Sequence, residues 1–234
     1  MKEHNKENRL ITAVILAAGC GSRMGAAEPK HRLTVAGDTV LRHTIKAFEA
    51  CGAIDSVVVV VREDEIQTLK RELSDFNKIH AIVSGGETRA ESARRGFSAI
   101  PVNSHLVAIH DGARCLVTPE IIEEVVLSAM EFGAATAGVR VYDTVKSTVG
   151  EEIVSTIKRE ELFLAHTPQV FECGLYRKAL EASNGSHEAT DDNFLLETIG
   201  IRVKAVDTGK TNVKITTPDD LSFAEYVLTK RSLL

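Results

Sequence analysis

Thr12-Ala-Val-Ile-Leu-Ala17-Ala-Gly-Cys-Gly21-Ser-Arg-Met-Gly25 is an apolar, β-branched run that passes straight into a glycine-rich loop. Apolar runs of this kind read as strands covered on both faces. A second run, Ser56-Val-Val-Val-Val-Val61, leaves neither face polar. Residues 79–83 and 106–109 repeat the theme, each ending in a polar loop. Between the first two runs, Val40, Leu41, Thr44, Ile45 and Phe48 fall at helical spacing, closed by Gly52. Thr118-Pro119 and Thr217-Pro218-Asp219-Asp220 each place Thr at an N-cap and Pro at the first helical position. Asp219 and Asp220 also suit the positive end of a helix. Thr190-Asp-Asp reads as a third cap. Strands alternating with helices in this way predict an α/β fold with a doubly wound, mostly parallel, Rossmann-like sheet. From about 139 to 158 polar and apolar residues alternate around Gly150, which predicts a projecting β-arm. With no Pro- or Ser-rich linker, one domain over residues 1–234 is expected.

Composition narrows the function classes. Lys plus Arg number 28 against 33 Asp plus Glu, a net charge of -5, which argues against a general nucleic-acid coat. No stretch approaches the ~20 apolar residues of a membrane helix. The opening MKEHNKENRL has no apolar core of a signal peptide. Cys20, Cys51, Cys115 and Cys173 form no CxxC pair, so free thiols in a reducing cytoplasm are expected, without zinc or disulfides.

In a doubly wound sheet, ligands bind beyond the carboxyl ends of the strands. The first such loop offers Gly19, Gly21 and Gly25, then Pro29-Lys30. It departs from GxGxxG because the third glycine comes one residue late, and no Gly-Lys-Ser/Thr follows to make a Walker A loop. Bare glycine backbone can approach phosphates, and Arg23 and Lys30 add two cations to one loop, which suits a triphosphate. In His110-Asp-Gly-Ala-Arg114, a carboxylate follows a buried strand and two small residues leave room for a ligand. Arg114 could then fork onto an acceptor hydroxyl or phosphate, or simply pair with Asp111. His110 is read as orienting this loop.

The pattern Leu16-Ala-Ala-Gly19-x-Gly21-x-Arg23-Met24-Gly25-x(4)-Pro29-Lys30 resembles the signature of sugar-nucleotide pyrophosphorylases, and within them the cytidylyltransferases. Further matches follow in Ser84-Gly-Gly-Glu-Thr-Arg-Ala-Glu-Ser92, His110-Asp-Gly-Ala-Arg114, Asp143-Thr144, Thr167-Pro-Gln169, Ala189-Thr-Asp191 and Asn212-Val-Lys-Ile-Thr-Thr-Pro218. In that order, over residues 11 to 230, they resemble the 2-C-methyl-D-erythritol 4-phosphate cytidylyltransferases of the non-mevalonate isoprenoid pathway. The resemblance implies a nucleotide-diphospho-sugar transferase-like fold and CTP and a sugar-alcohol phosphate as substrates, with Mg²⁺ held by Asp111, the carboxylate best placed for it, and a homodimer built through the arm. It implies catalytic roles for Arg23, Lys30, Arg159 and Lys214. Nucleotide contacts fall to Ala17, Ala18, Gly19, Gly21, Gly85, Gly86, Glu87 and Ser92. Acceptor contacts fall to Asp111, Arg114, Thr144, Arg159, Thr167 and Thr190, with the arm's residues serving a neighbouring subunit.

The chain departs from the family pattern at His31-Arg32, Cys115, Arg140 and Lys158, none of which removes a catalytic cation. A D-ribitol 5-phosphate cytidylyltransferase of teichoic acid synthesis shares most of the motifs and stands as the alternative. A dinucleotide-dependent oxidoreductase fits less well, because Arg62 rather than an acidic residue follows the valine run. A non-catalytic nucleotide binder would have no need of Arg23, Lys30, Asp111 and Lys214 together.

Overall fold

The computed structural model describes residues 10–19, 29–183 and 190–233. In chain order its elements are β1 (Leu10–Leu16), β2 (Thr34–Val35), β3 (Asp38–Thr39), α1 (Val40–Ala50), β4 (Ser56–Val61), α2 (Ile66–Glu72), β5 (Ile79–Ser84), α3 (Arg89–Ser98), β6 (Ser104–Asp111), α4 (Pro119–Phe132) and β7 (Ala134–Arg140). There follow β8 (Val145–Val149), β9 (Glu152–Ile157), β10 (Phe163–Glu172), α5 (Cys173–Ala182), α6 (Asp192–Thr198), β11 (Lys204–Asp207) and α7 (Pro218–Arg231).

The valine run explains the layering. All of β4 is buried, and its side chains alternate between two cores. Val57, Val59 and Val61 pack with Leu41, Ile45 and Phe48 of α1 and with Ile122, Val125 and Val126 of α4. Val58 and Val60 face the other way, toward Phe97 of α3, Tyr176 of α5 and Leu196 of α6. Each valine so buried contributes about 1.5–3 kcal/mol in transfer free energy. A strand apolar on both faces is stable only where helices cover both sides, and the sheet obeys that rule.

Seven strands pair in the order β11-β7-β10-β6-β1-β4-β5. β1 runs parallel to β4 on one side and to β6 on the other. The chain therefore winds outward through β4 and β5, then returns across β1, leaving a crevice at the carboxyl ends of β1 and β6. Only β10 runs against its neighbours, lying antiparallel between β6 and β7. Its pairing with β7 breaks between Ala165 and Gln169, the stretch that carries Thr167.

The arm is a two-stranded hairpin, β8 paired with β9, outside the main sheet. It starts later than the alternation suggested. Val139 and Arg140 are the last residues of β7 and pair with Leu164 and Phe163. The caps at Thr118 and Thr217 form as expected, the second as a full capping box with Asp220. For α6 the cap is Asp191 and not Thr190, its carboxylate accepting from the Phe194 amide.

Candidate active site

Three loop starts are stitched to the ends of neighbouring strands. The amide of Ala17 donates to the Val60 carbonyl at 2.7 Å, that of Gly85 to Val61 at 2.8 Å, and that of Gly112 to Leu16 at 2.8 Å. These bonds hold the loops after β1, β5 and β6 around one open cleft of about 440 Å³. Ala17, Ala18 and Gly19 line it on one side and Gly86, Glu87 and Ser92 on another, with Lys30, Asp111 and Lys214 between them. Gly21 and Arg23 lie outside the described residues.

The Gly85-Gly86 turn leaves no room for side chains. A Cβ on Gly85 would lie 2.8 Å from the Ser92 hydroxyl and collide with Ala18. Ser92, buried one turn into α3, accepts from the Gly86 amide at 3.1 Å and donates to the Thr88 carbonyl at 3.0 Å. Its hydroxyl thus fixes the turn beside the first loop.

Asp111 is the most constrained acid of the cleft. Its amide donates to the Thr167 hydroxyl at 3.0 Å. Its carboxylate accepts from Arg89 Nε at 3.2 Å through one oxygen and from Lys214 Nζ at 2.9 Å through the other. Arg114 Nε lies 3.7 Å from the second oxygen. Burial alone would raise its pKa, but the opposing charges of Arg89, Lys214 and Arg114 hold it well below the usual carboxylate range. Asp111 is therefore ionised at any physiological pH.

Behind Asp111 sits His110, fully buried, with its pKa pushed down to about 3 by burial. The ring is neutral, and its neighbours dictate the tautomer. Nε2 faces the Arg114 carbonyl at 3.3 Å, which can only accept, so Nε2 carries the proton. Nδ1 then accepts from the Thr167 hydroxyl at 3.1 Å. His110 thus ties the loop's two ends to β10, as an orienting residue would.

Lys214 reaches the cleft on an irregular segment anchored in three places. The amide of Ile215 donates to the Ala113 carbonyl at 2.8 Å. The buried Asn212 side chain donates to the Thr167 carbonyl at 2.8 Å, and the Asn212 backbone carbonyl accepts from Arg114 Nη1 at 2.8 Å. On the far side Lys30 Nζ lies 3.4 Å from the Thr216 carbonyl, 186 residues away in sequence. Folding thus brings the two lysines to one place.

Not every expected residue lines this cleft. Of the two readings of Arg114, its side chain follows the pairing with Asp111, for the guanidinium is buried against Asn212 and Asp111. Thr167 is likewise buried and occupied by Asp111 and His110. Thr144 and Arg159 flank the base of the arm and are exposed, with Arg159 Nη1 donating to the Tyr142 carbonyl at 2.6 Å. Thr190 is also exposed, beside α6. None of these three lines the cleft within this chain.

The departures cost the site little. His31 is buried, lines the cleft, and meets Glu65 at 3.0 Å, and Arg32 Nε reaches the same oxygen at 3.1 Å. Cys115 packs in a third core with Val40, Leu116 and Ala224 of α7. Residues the sequence reading passed over also reach the cleft, namely Arg62, Thr88 and Arg89. Arg89 had a legible signal. It is the first residue of α3 after the Thr88 cap, where a cation meets the positive helix end and needs carboxylate partners.

Among the described residues no three His, Cys, Asp or Glu side chains converge into a metal cage. Glu87 and Asp111 are the carboxylates lining the cleft, and the donor set beside Lys214 is the ionised Asp111. Mg²⁺ commonly takes one or two carboxylates and completes its shell with phosphate oxygens and water. This donor fits an ion that arrives with phosphates.

Residues 11–230 match the family model described as IspD: 2-C-methyl-D-erythritol 4-phosphate cytidylyltransferase. The chain belongs to this family. It is accordingly a nucleotidyltransferase. Among its relatives, the 2-C-methyl-D-erythritol 4-phosphate cytidylyltransferase of Alkaliphilus oremlandii is 40% identical over 94% of this chain and 95% of its own length. That of Caldanaerobacter subterraneus is 42% identical over 94% and 99%. These relatives carry the methylerythritol name, which favours the main reading over the ribitol alternative. The structure of 4-diphosphocytidyl-2C-methyl-D-erythritol synthase from Anaerococcus prevotii superposes with a TM-score of 0.83 at 29% identity, covering 95% of this chain and all of that one. The Thermus thermophilus cytidylyltransferase gives 0.77 at 31% identity, covering 94% and 99%. The fold is therefore the mostly parallel α/β nucleotidyltransferase fold of this family. No helix among the described residues is long and apolar enough to cross a membrane.

Proposed function

We propose that this cleft joins CTP to 2-C-methyl-D-erythritol 4-phosphate, giving 4-diphosphocytidyl-2-C-methyl-D-erythritol and pyrophosphate. The observation that carries the reading is the meeting of Lys30 and Lys214 beside Asp111 at the mouth of β1 and β6.

The chemistry needs few protein groups. A phosphate monoester oxygen, already anionic near pH 7, attacks the α-phosphorus, and the bond to the β-phosphate oxygen breaks. No proton must be removed from the nucleophile, so no general base is required. The barrier is electrostatic, because a dianion approaches a triphosphate and charge gathers on the α-phosphoryl oxygens. Lys30 and Arg23 are assigned to the triphosphate. Lys214, held beside Asp111, is assigned to the α-phosphate and the attacking phosphate. Mg²⁺, with Asp111 as its protein ligand, would neutralise further phosphate charge. The close-packed Gly85-Gly86 turn, with Glu87, Ser92, Ala17, Ala18, Gly19 and Gly21, is assigned to the nucleoside through main-chain contacts.

Arg159, Thr144 and Thr190 are assigned to the acceptor, together with Asp111 in the cleft wall. Since the first two flank an exposed hairpin and do not line their own cleft, they are taken to serve a second copy in a homodimer. An isolated two-stranded hairpin is marginal in water, and Val149, Ile153 and Val154 on this one are exposed, which supports a covering partner. Arg114 and Thr167 are assigned a supporting role, holding Asp111 from behind. Cys51, Cys115 and Cys173 are buried free thiols, in keeping with a cytoplasmic enzyme.

Pyrophosphate release with CTP and Mg²⁺ tests the reading, comparing 2-C-methyl-D-erythritol 4-phosphate with D-ribitol 5-phosphate. Release with the first alone is expected. Release with the second alone would keep the chemistry and overturn the acceptor.

A further inference from the structure

Arg89, in the cleft wall, and Asp192, buried behind it, form a pair to which the reaction scheme gives no task. Arg89 spans two carboxylates, donating from Nε to Asp111 at 3.2 Å and from Nη1 to Asp192 at 2.7 Å. Asp192, at the start of α6, is 1% exposed and does not line the cleft. Its other oxygen accepts from the buried Tyr176 hydroxyl at 2.6 Å, and its amide donates to Gln169 Oε1 at 2.9 Å. Tyr176 itself is wedged between Phe97 and Phe171, with ring centroids 4.9 and 5.4 Å away. Asp192 is therefore fixed by Tyr176 and Gln169 and presents its remaining oxygen to Arg89.

A guanidinium at the first turn of α3 opposes the helix dipole, and in a cleft built for phosphates it has an obvious rival partner. Its side chain is still 28% exposed. The second carboxylate decides where it points. We infer that Asp192 is a positioning residue for cytidylyl transfer: it clamps Arg89 onto one oxygen of Asp111, so that the other oxygen stays turned to Lys214 and the acceptor, and Arg89 stays off the triphosphate. The inference rests on the proposed reaction. A forked donor is essential to it, since an ammonium cannot hold two carboxylates in one plane as a guanidinium does.

Steady-state kinetics on the full chain test this, with CTP and 2-C-methyl-D-erythritol 4-phosphate varied in turn. In Asp192→Asn the acceptor kcat/KM should fall about tenfold or more, as for other partners that orient a functional carboxylate, while the KM for CTP stays within about twofold. Arg89→Lys should show the same split, and the double variant should be no worse than the more impaired single, because both break one unit. Tyr176→Phe keeps every charge and should move the acceptor term in the same direction by a smaller factor, which serves if Asp192→Asn does not fold. An unchanged acceptor kcat/KM in folded Asp192→Asn, or in Tyr176→Phe where Asn is unstable, overturns the inference. So does a parallel loss of the CTP and acceptor terms. A wild-type chain that releases no pyrophosphate sinks the proposed reaction, and this inference with it.

Discussion

The wall around Asp111 and the arm of β8 and β9 are built on opposite terms. In the wall every group has a partner from a distant part of the chain: Asp111 has Arg89, Thr167 and Lys214, and Arg114 has Asn212. The arm is exposed along all of β9, and its hydrogen bonds are mainly its own. Groups that must meet developing charge within a fraction of an ångström need the first kind of setting. In the proposed assembly the arm serves another subunit, and its exposed apolar residues are covered there. On that reading cis residues are preorganised by the fold, whereas trans residues depend on assembly.

The largest effects should come from the wall's cations. Lys30→Ala and Lys214→Ala should each lower kcat by about 10²–10³-fold, the loss expected for one transition-state donor. Rapid-quench or coupled pyrophosphate assays check this, and near-full activity in either variant would remove that lysine from the chemistry. The arm should respond differently. Arg159→Ala should raise the acceptor KM by about ten- to a hundredfold, the worth of a charged hydrogen bond, and leave the CTP KM nearly unchanged. The reverse ordering would detach the arm from acceptor binding.

Smaller effects should fall on stability. Gly96 lies where α3 crosses the sheet, and an added Cβ would be 2.7 Å from Val60 and would collide with Val14. Gly96→Ala should cost about 1–3 kcal/mol and lower Tm by several degrees. Acid should act through two imidazoles. Burial pushes His110 down to about 3 and His166 to about 4. In the unfolded chain they titrate near 6.5, so the unfolded state gains protons that the folded state refuses. Their contribution is complete above pH 6.5 and is lost as pH falls from there toward 4. Tm at pH 5 should sit below Tm at pH 7.5 by a few degrees, and a flat profile would contradict this account of the two rings.

The same contrast explains what could be read from the sequence. Local signals were enough where the cause was local: the valine run and the Thr-Pro caps fall where the pattern put them, and Asp111 closes a buried strand that runs two residues further than its apolar stretch. Pairing across long distances left no local mark. Nothing near residue 165 says that β10 will lie antiparallel between β6 and β7, and that placement is what brings Thr167 against Asp111. Arg114 turned inward because a carbonyl 98 residues away accepts from it, not because of anything in its loop. At the start of α6, Thr190 and Asp191 are both good caps, and only the backbone decides for the second. The arm's boundary slipped because β7 stays buried through Val139 and turns to solvent at Arg140, so the change of pattern begins inside the strand and not after it.

The division between a cis wall and a trans arm has one direct test. Arg159→Ala keeps an intact cleft and Lys214→Ala keeps an intact arm, so the two variants can be co-refolded in equal amounts and assayed for pyrophosphate release at acceptor near the wild-type KM, where each alone is nearly inactive. If the arm serves the neighbouring cleft, mixed dimers recover activity, to about a quarter of wild type, since half the dimers are mixed and each holds one intact site. No recovery, with mixed dimers shown to form, would place arm and cleft in the same chain and contradict the account.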